Sequence, residues 1–431
     1  MEKSYHGRGL HLYSYKMNRK DFEIMAPVGS FESLSAAIKG GADAVYFGIE
    51  GLNMRSRSSA NFTTADMADI VAICKKADVK TYLTVNTVVY DSDIDLLRRI
   101  IEAARESGIT AIIASDMAAI LMAREMGVEV HISTQVNVAN FEAVKFYSRY
   151  ADVMVLAREL NMQQVAEISR RIKEEGITGP AGRPVRLEMF CHGALCMAVS
   201  GKCYLSLHEM NSSANRGACN QICRRSYDVT DRETGEALTV DNQYIMSPKD
   251  LKTIHFLNKM VDAGVTVFKI EGRARGAEYV RETVECYSQA LSAICEDAYT
   301  EEKISEWDAR LDKIFNRGFW NGYYLGQRLG EWSSKYGSSA SRVKIYAAKA
   351  IRYFPRLGVG EFQMENGELS TGMEVVLTGP TTGAEIFTVD ELRYNLEKVD
   401  KVVRGQRFSM PVPAKCRPSD RLYLWQDKTQ K

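Results

Sequence analysis

The 431-residue chain contains no apolar run near the 18 or so residues that a membrane span needs. Its first 23 residues, MEKSYHGRGLHLYSYKMNRKDFE, are polar and lack an apolar signal core, which argues against secretion. Charge of one sign is not in excess: the formal net charge is +1, so any nucleic-acid contact must come from local patches. Motifs of common hydrolases are missing as well. There is no HExxH zinc helix and no GxSxG elbow, and none of the six histidines stands in a local nucleophile signature. Nine cysteines, an odd number in a long chain without a signal, point to reduced thiols and a cytoplasmic location, not to a disulfide framework.

What is present is a repeated unit. A helix-like segment ends in Gly and a short apolar strand follows, at 39–49, 106–115, 125–134 and 262–272. Gly suits the left-handed residue that ends a helix, and a wholly apolar strand suits a sheet covered on both faces. Segments 22–29, 79–87, 152–160 and 185–193 supply further strands, making eight in alternation with helices. The expected fold class is therefore α/β, a (β/α)8 TIM-like barrel, with an open doubly wound sheet as its rival. The domains expected are an N-terminal extension (1–20), the barrel (21–334) and a C-terminal unit (335–431). That last unit follows a Ser-rich joint and shows short strands with Gly-rich turns, as in a small β-barrel.

The connection after the seventh strand is too long for a βα loop of about 2–6 residues. A helix is expected to resume at Ser247 as N-cap with Pro248 in its first turn, so an insertion spans about 191–247. It contains an expected hairpin at 227–240 and a cysteine series, C-x4-C-x6-C-x15-C-x3-C, at Cys191, Cys196, Cys203, Cys219 and Cys223. In a barrel such a loop lies on the C-terminal face, where barrel active sites sit. Four cysteinates there can hold zinc or an iron–sulfur cluster. Paired CxxC knuckles are absent, which favours iron–sulfur, although spacing alone separates the two weakly. Cys74, Cys286, Cys295 and Cys416 are isolated and read as small buried apolar residues.

Other candidates lie at strand ends. Lys269, Glu271, Arg273 and Arg275 alternate in FKIEGRAR, so an extended backbone would turn them to one side, as an anion clamp or a structural ion pair. Arg55, Arg57 and Asn61 follow the second strand as a second anion site or a plain loop. His131, Ser133, Gln135 and Asn137 would line a pocket at the fifth strand, although a lone buried histidine is more often structural. Asn86 is a weaker candidate of the same kind, and Glu188 is expected to pair with a basic neighbour. Arg216, Arg224, Arg225 and Tyr227 beside the cysteines, with Arg404 and Arg407 further on, are the basic and aromatic residues available to RNA.

EMFCHGALCMAVSGKCYLS followed by SANRGACNQICR closely resembles the signature of the collagenase-like peptidase family. The resemblance extends through MAPVGS (25–30), FKIEGRAR (268–275) and FNRGF (315–319). It implies a 4Fe-4S cluster on Cys196, Cys203, Cys219 and Cys223, with Cys191 spare because its place in the signature is not restricted to cysteine. Length and the extra C-terminal unit are similar to members that hydroxylate tRNA. For those the resemblance implies 5-hydroxyuridine formation at the wobble position, with prephenate as hydroxyl donor and the anticodon loop as partner. Prephenate, a dicarboxylate, would use the arginines. Other readings are a peptidase, an accessory factor for oxygen-independent hydroxylation in quinone biosynthesis, and a non-catalytic RNA-binding scaffold. Some relatives work as heterodimers, so a protein partner or an oligomer fits the same resemblance.

Overall fold

The computed structural model describes residues 17–56, 62–235, 244–327, 329–334 and 337–428. The first seven strands are β1 (Glu23–Pro27), β2 (Ala44–Phe47), β3 (Lys80–Val85), β4 (Ala111–Ala114), β5 (Glu129–Ile132), β6 (Val153–Val155) and β7 (Arg186–Gly193). A short β8 (Asp250–Lys252) precedes β9 (Val265–Ile270). Strands β1 to β7 pair in sequence, all parallel, and β9 pairs parallel with both β7 and β1. The sheet is therefore a closed eight-stranded barrel, and the doubly wound rival is excluded. Its strands fall within the eight segments expected.

Helices α1 (Phe31–Lys39), α2 (Asp66–Lys76), α3 (Ile94–Ser107), α4 (Met117–Glu125), α5 (Phe141–Tyr147) and α6 (Met162–Glu174) occupy the crossovers. Helix α3 shows why they form. Leu97, Ile100, Ile101 and Ala104 share one buried face at helical spacing, and Gly108, at φ 78°, ends the helix in the left-handed region. After α7 (Leu205–Met210), which lies in the insertion, α8 (Leu257–Asp262) and α9 (Ala277–Cys295) complete the ring, and α10 (Glu301–Lys313) packs on α9. Among the described residues, no helix is long and apolar enough to cross a membrane.

Two expectations about the insertion need correction or fall outside the described residues. The helix expected from Ser247 does not begin there. Instead β8 runs antiparallel to the end of β7, and α8 starts only after Phe256. Pro248 bridges Trp332, and β8 also pairs with β10 (Phe319–Trp320), so tertiary pairing overrides the local helix signal. Part of the expected hairpin, 236–240, lies outside the described residues.

From Arg342 onward the chain is antiparallel β structure, as expected. An eight-stranded sheet is built around the long strand Arg342–Phe354, and a two-stranded sheet pairs Glu368–Ser370 with Lys401–Val403. Phe362, Leu377, Phe408 and Leu422 centre its own core. It docks on α1 and α9 through Ala36, Ala277, Val376 and Trp425, with Lys344–Glu278 as an ion pair of 2.8 Å.

The N-terminal end of the barrel is closed by charge. Glu23, 2% exposed, meets Lys80 at 2.7 Å and Arg186 at 3.1 Å, and accepts a hydrogen bond from Tyr82 at 2.7 Å. Burial pushes its carboxyl up, but Arg186 and Lys80 outweigh this and hold it at about 2, below the ordinary 4.5. A depressed folded value gives stability that is present above the unfolded value and lost as pH falls. We expect about 3 kcal/mol to disappear between about pH 5 and about pH 2. Urea unfolding across that range should show this loss for the wild type and a flatter profile for Glu23→Gln.

Candidate functional site

The C-terminal ends of the barrel strands and residues 194–224 of the insertion enclose a cavity of about 190 Å³. Cys196, Cys203, Cys219 and Cys223 all line it. Cys191 does not. It sits on β7 with Met189 and Leu187, on the side that packs against the helices, and its Sγ lies 3.4 Å from the Lys269 carbonyl oxygen. Burial pushes its thiol well up. Strand alternation explains the split, since neighbouring Phe190 faces the cavity.

The cysteine loops are pinned. Arg224 donates to the carbonyl oxygens of Leu195 (2.5 Å) and Pro248 (2.6 Å), tying the start of the insertion to its end. Asn137 Nδ2 donates to the Ser200 carbonyl oxygen at 3.0 Å, and Cys203 N donates to Asn215 Oδ1 at 3.3 Å. At Gly201 (φ 74°) a Cβ would lie 2.9 Å from the Gln135 Cβ, so the loop's close seating on the turn after β5 requires glycine. Burial pushes the Cys223 thiol up, Arg224 draws it down, and the neighbouring Cys196, Cys219 and Cys203 push it up further. Even so, among the described residues no three His, Cys, Asp or Glu side chains converge closely enough to hold a single metal ion.

The remaining wall is cationic. Lys269, Glu271, Arg273 and Arg275 all line it, but for a different reason than alternation, because β9 ends at Ile270 and a turn carries the last three. Arg55 meets Glu271 at 3.3 Å, and Tyr46 donates to Glu271 at 3.2 Å. Burial raises the Glu271 carboxyl, yet Arg55, Arg273 and Arg158 bring it below its usual range. Arg273, 8% exposed, donates only to neutral partners, Thr84 Oγ1 at 2.9 Å and Asn53 Oδ1 at 3.2 Å. Arg275 stacks 3.6 Å over Phe315. Burial lowers the pKa of both guanidinium groups. Lys269 is matched by Glu188 at 2.7 Å, both buried, as expected for Glu188.

The other sequence candidates divide. Gln135 and Asn86 line the cavity and are hydrogen-bonded at 3.2 Å. His131 does not line it. Its ring is buried deeper in the barrel against Tyr82, 4.5 Å between centroids. Asn137 holds the cysteine loop and does not face the cavity. Arg57 and Asn61 lie outside the described residues. Arg224 pins the insertion and also lines the cavity, while Arg225 is exposed. The sequence reading missed Arg158 and Arg317, which also line the cavity. Arg158 lies 3.8 Å over the Phe190 ring. It stands at the C-terminal end of a barrel strand segment, the same signal that singled out Lys269.

Residues 29–334 match the family model described as peptidase family U32. The chain is 64% identical over 414 residues to a Porphyromonas gingivalis protein named collagenase, covering 96% of this chain and 100% of that one. It is 34% identical over 326 residues to tRNA hydroxylation protein P1 of Bacillus subtilis, covering 73% of this chain and 74% of that one. A 23S rRNA 5-hydroxycytidine synthase of Escherichia coli is 33% identical over 316 residues, covering 72% of this chain and 46% of that protein.

Proposed function

The chain belongs to peptidase family U32, and from that premise we propose that it is an enzyme that hydroxylates a base of RNA. Relatives named for tRNA and rRNA hydroxylation, at 34% and 33% identity, support the reading. The observation that carries it is one cavity that joins four thiols to a cationic wall at the barrel mouth. Within it we assign a 4Fe-4S cluster to Cys196, Cys203, Cys219 and Cys223. The donor set has the right chemistry: four thiols line one space, and thiolates are the ligands such a cluster takes. Such a cluster supplies electron-transfer or Lewis-acid chemistry when bound.

The chain's own groups do the rest. Among the described residues Arg158, Arg273 and Arg275 have no carboxylate within ion-pair distance and are held by neutral groups, which leaves their charge for the two carboxylates of prephenate as hydroxyl donor. Glu271, held ionised by Arg55 and Tyr46, keeps those carboxylates to the arginine side by repulsion. The RNA we assign is the tRNA anticodon loop, with 5-hydroxyuridine at the wobble position as product. Tyr204, 68% exposed, and Tyr90, 55% exposed with Arg216 stacked 4.2 Å over its ring, suit unpaired bases at the rim. Tyr204→Ala is expected to weaken binding of an anticodon stem-loop by about 1–3 kcal/mol, read by fluorescence anisotropy, with the circular dichroism spectrum unchanged.

The 64% relative named collagenase favours a second reading, peptide cleavage. Against it, among the described residues no histidine lines the cavity to activate a thiol, and Cys191, the spare thiol, faces the helical layer. Mass spectrometry of nucleosides from deleted and complemented cells decides between the readings. The expected result is one missing wobble hydroxyuridine that complementation restores. Loss of an rRNA hydroxycytidine alone would move the substrate to the ribosome. A normal profile, with collagen cleavage by protein freed of other proteases, would overturn the assignment.

A further inference from the structure

Barrel interiors are normally packed with layers of branched apolar side chains. This one is crossed by ionisable groups from end to end. Lys269, at the floor of the cavity, donates to Glu188 Oε1 at 2.7 Å. The other oxygen, Glu188 Oε2, has no hydrogen-bond partner, and it points at His131 Nδ1, which has none either; they stand 3.9 Å apart. On the far side of the ring, His131 Nε2 is 3.5 Å from Glu129 Oε1. Glu129 begins β5 at the opposite end of the barrel, 30% exposed, beside Arg183 on the surface. Glu188 and His131 are 0% and 1% exposed.

Two facing orphans are costly where nothing else can satisfy them, on the order of 1–3 kcal/mol each. A buried ion pair is also poor value as a stabiliser compared with an apolar pair of equal volume. A row of such groups that begins at a reaction cavity and ends at solvent serves proton movement. We propose that Lys269, Glu188, His131 and Glu129 form a proton path from the cavity, through the barrel axis, to the N-terminal face. Each transfer breaks one bond to hydrogen and makes one. A proton taken up by Lys269 displaces another to Glu188. Once its acid hydrogen has turned from the Oε1 side to Oε2, Glu188 passes it to His131 Nδ1, and His131 releases the proton on Nε2 to Glu129 and water. No electron moves and no co-reactant is consumed. A donor that delivers its hydroxyl as an OH⁺ equivalent, and is itself left reduced by two electrons, turns a base C–H into C–OH and releases that hydrogen as one proton, whose exit through the mouth the cationic wall of the cavity opposes. Tyr82, whose ring lies tilted at 52° against His131 and whose hydroxyl is bonded to Glu23, Arg186 and Lys80 beside Glu23, and Tyr46 against Lys269 are further ionisable groups facing this row.

The inference rests on the hydroxylase reading for its direction, and its test has one arm that does not. With the cluster-loaded protein and its tRNA, Glu129→Gln, at the exposed end, is expected to lower kcat about tenfold or more, at unchanged KM for RNA, with a larger solvent deuterium isotope effect. Glu129→Asp restores much of the rate. His131→Phe behaves as Glu129→Gln. Wild-type kcat and isotope effect in both folded variants would overturn the path. So would a loss shared between KM and melting temperature with no change in isotope effect. Neutron diffraction of the protein after exchange into D2O requires no turnover. It is expected to place exchanged deuterium on His131 Nε2 towards Glu129 with Nδ1 bare towards Glu188, and hydrogen retained on Nε2, or one fixed on Nδ1, overturns the path. Absence of any hydroxylated base with the wild type, together with exchanged deuterium on His131 Nε2, would sink the functional reading and leave the path standing.

Discussion

Cys219→Ser, isolated without oxygen, is expected to lose most of its bound iron and its hydroxylation activity, whereas Cys191→Ser keeps both. The contrast follows from placement. Cys219 lines the cavity with three other thiols, and Cys191 is buried among Leu187, Met189 and the helices behind β7. Changing even the outer partners of a metal ligand costs about 10–100-fold, so loss of a ligand is expected to cost at least that. Iron and acid-labile sulfide assays, with the visible absorption spectrum, read the first effect; modified-nucleoside yield reads the second. Equal iron in Cys219→Ser and wild type would remove the cluster from this loop. Iron loss in Cys191→Ser alone would mean that β7 is rotated about its axis relative to the described barrel.

The second large effect is on stability. Lys269→Met leaves Glu188, 0% exposed, with no cation at hydrogen-bond distance. Breaking a buried pair in this way costs about 3–5 kcal/mol, a large share of the 5–15 kcal/mol that holds a typical domain. Converting both partners, Lys269→Met with Glu188→Leu, is expected to recover most of that, because neither charge is then stranded. Urea unfolding of the two singles and the double gives the coupling directly. The double variant is also expected to fold and yet turn over slowly, since it removes half the groups along the axis. If the double were as unstable as Lys269→Met, the cost would come from packing against Tyr46 and Phe190, whose rings lie 4.6 and 5.6 Å from the Lys269 Nζ.

Much of the barrel was legible because its signals are local. Each apolar strand is short and bounded, and a left-handed glycine marks the helix ends, as at Gly108 and Gly127. The insertion was legible as an interruption of that rhythm, but not in its course. β8 has three residues, too few for a period, and it exists because β7 and β10 supply partners on both sides. The clamp residues 269–275 were picked out by an argument from extended backbone that fails after Ile270, although the turn that replaces it delivers the same side chains to the same wall. Arg158 carried the equivalent signal at the end of β6 and was passed over because a lone arginine in an apolar segment has no neighbour to mark it. His131 illustrates the reverse limit. Its position on an inward face is readable, but its depth depends on strand stagger, which a sequence does not state.

The direct ladder between β7 and β9 sets one more condition on this architecture. The cylinder closes at that seam whether or not residues 194–249 lie between its two edges. Those residues leave and re-enter at one doorway, like a cassette. Shortening or exchanging the cassette alters the chemistry offered at the mouth without reopening the wall beneath it, so a single scaffold can be re-equipped for different substrates.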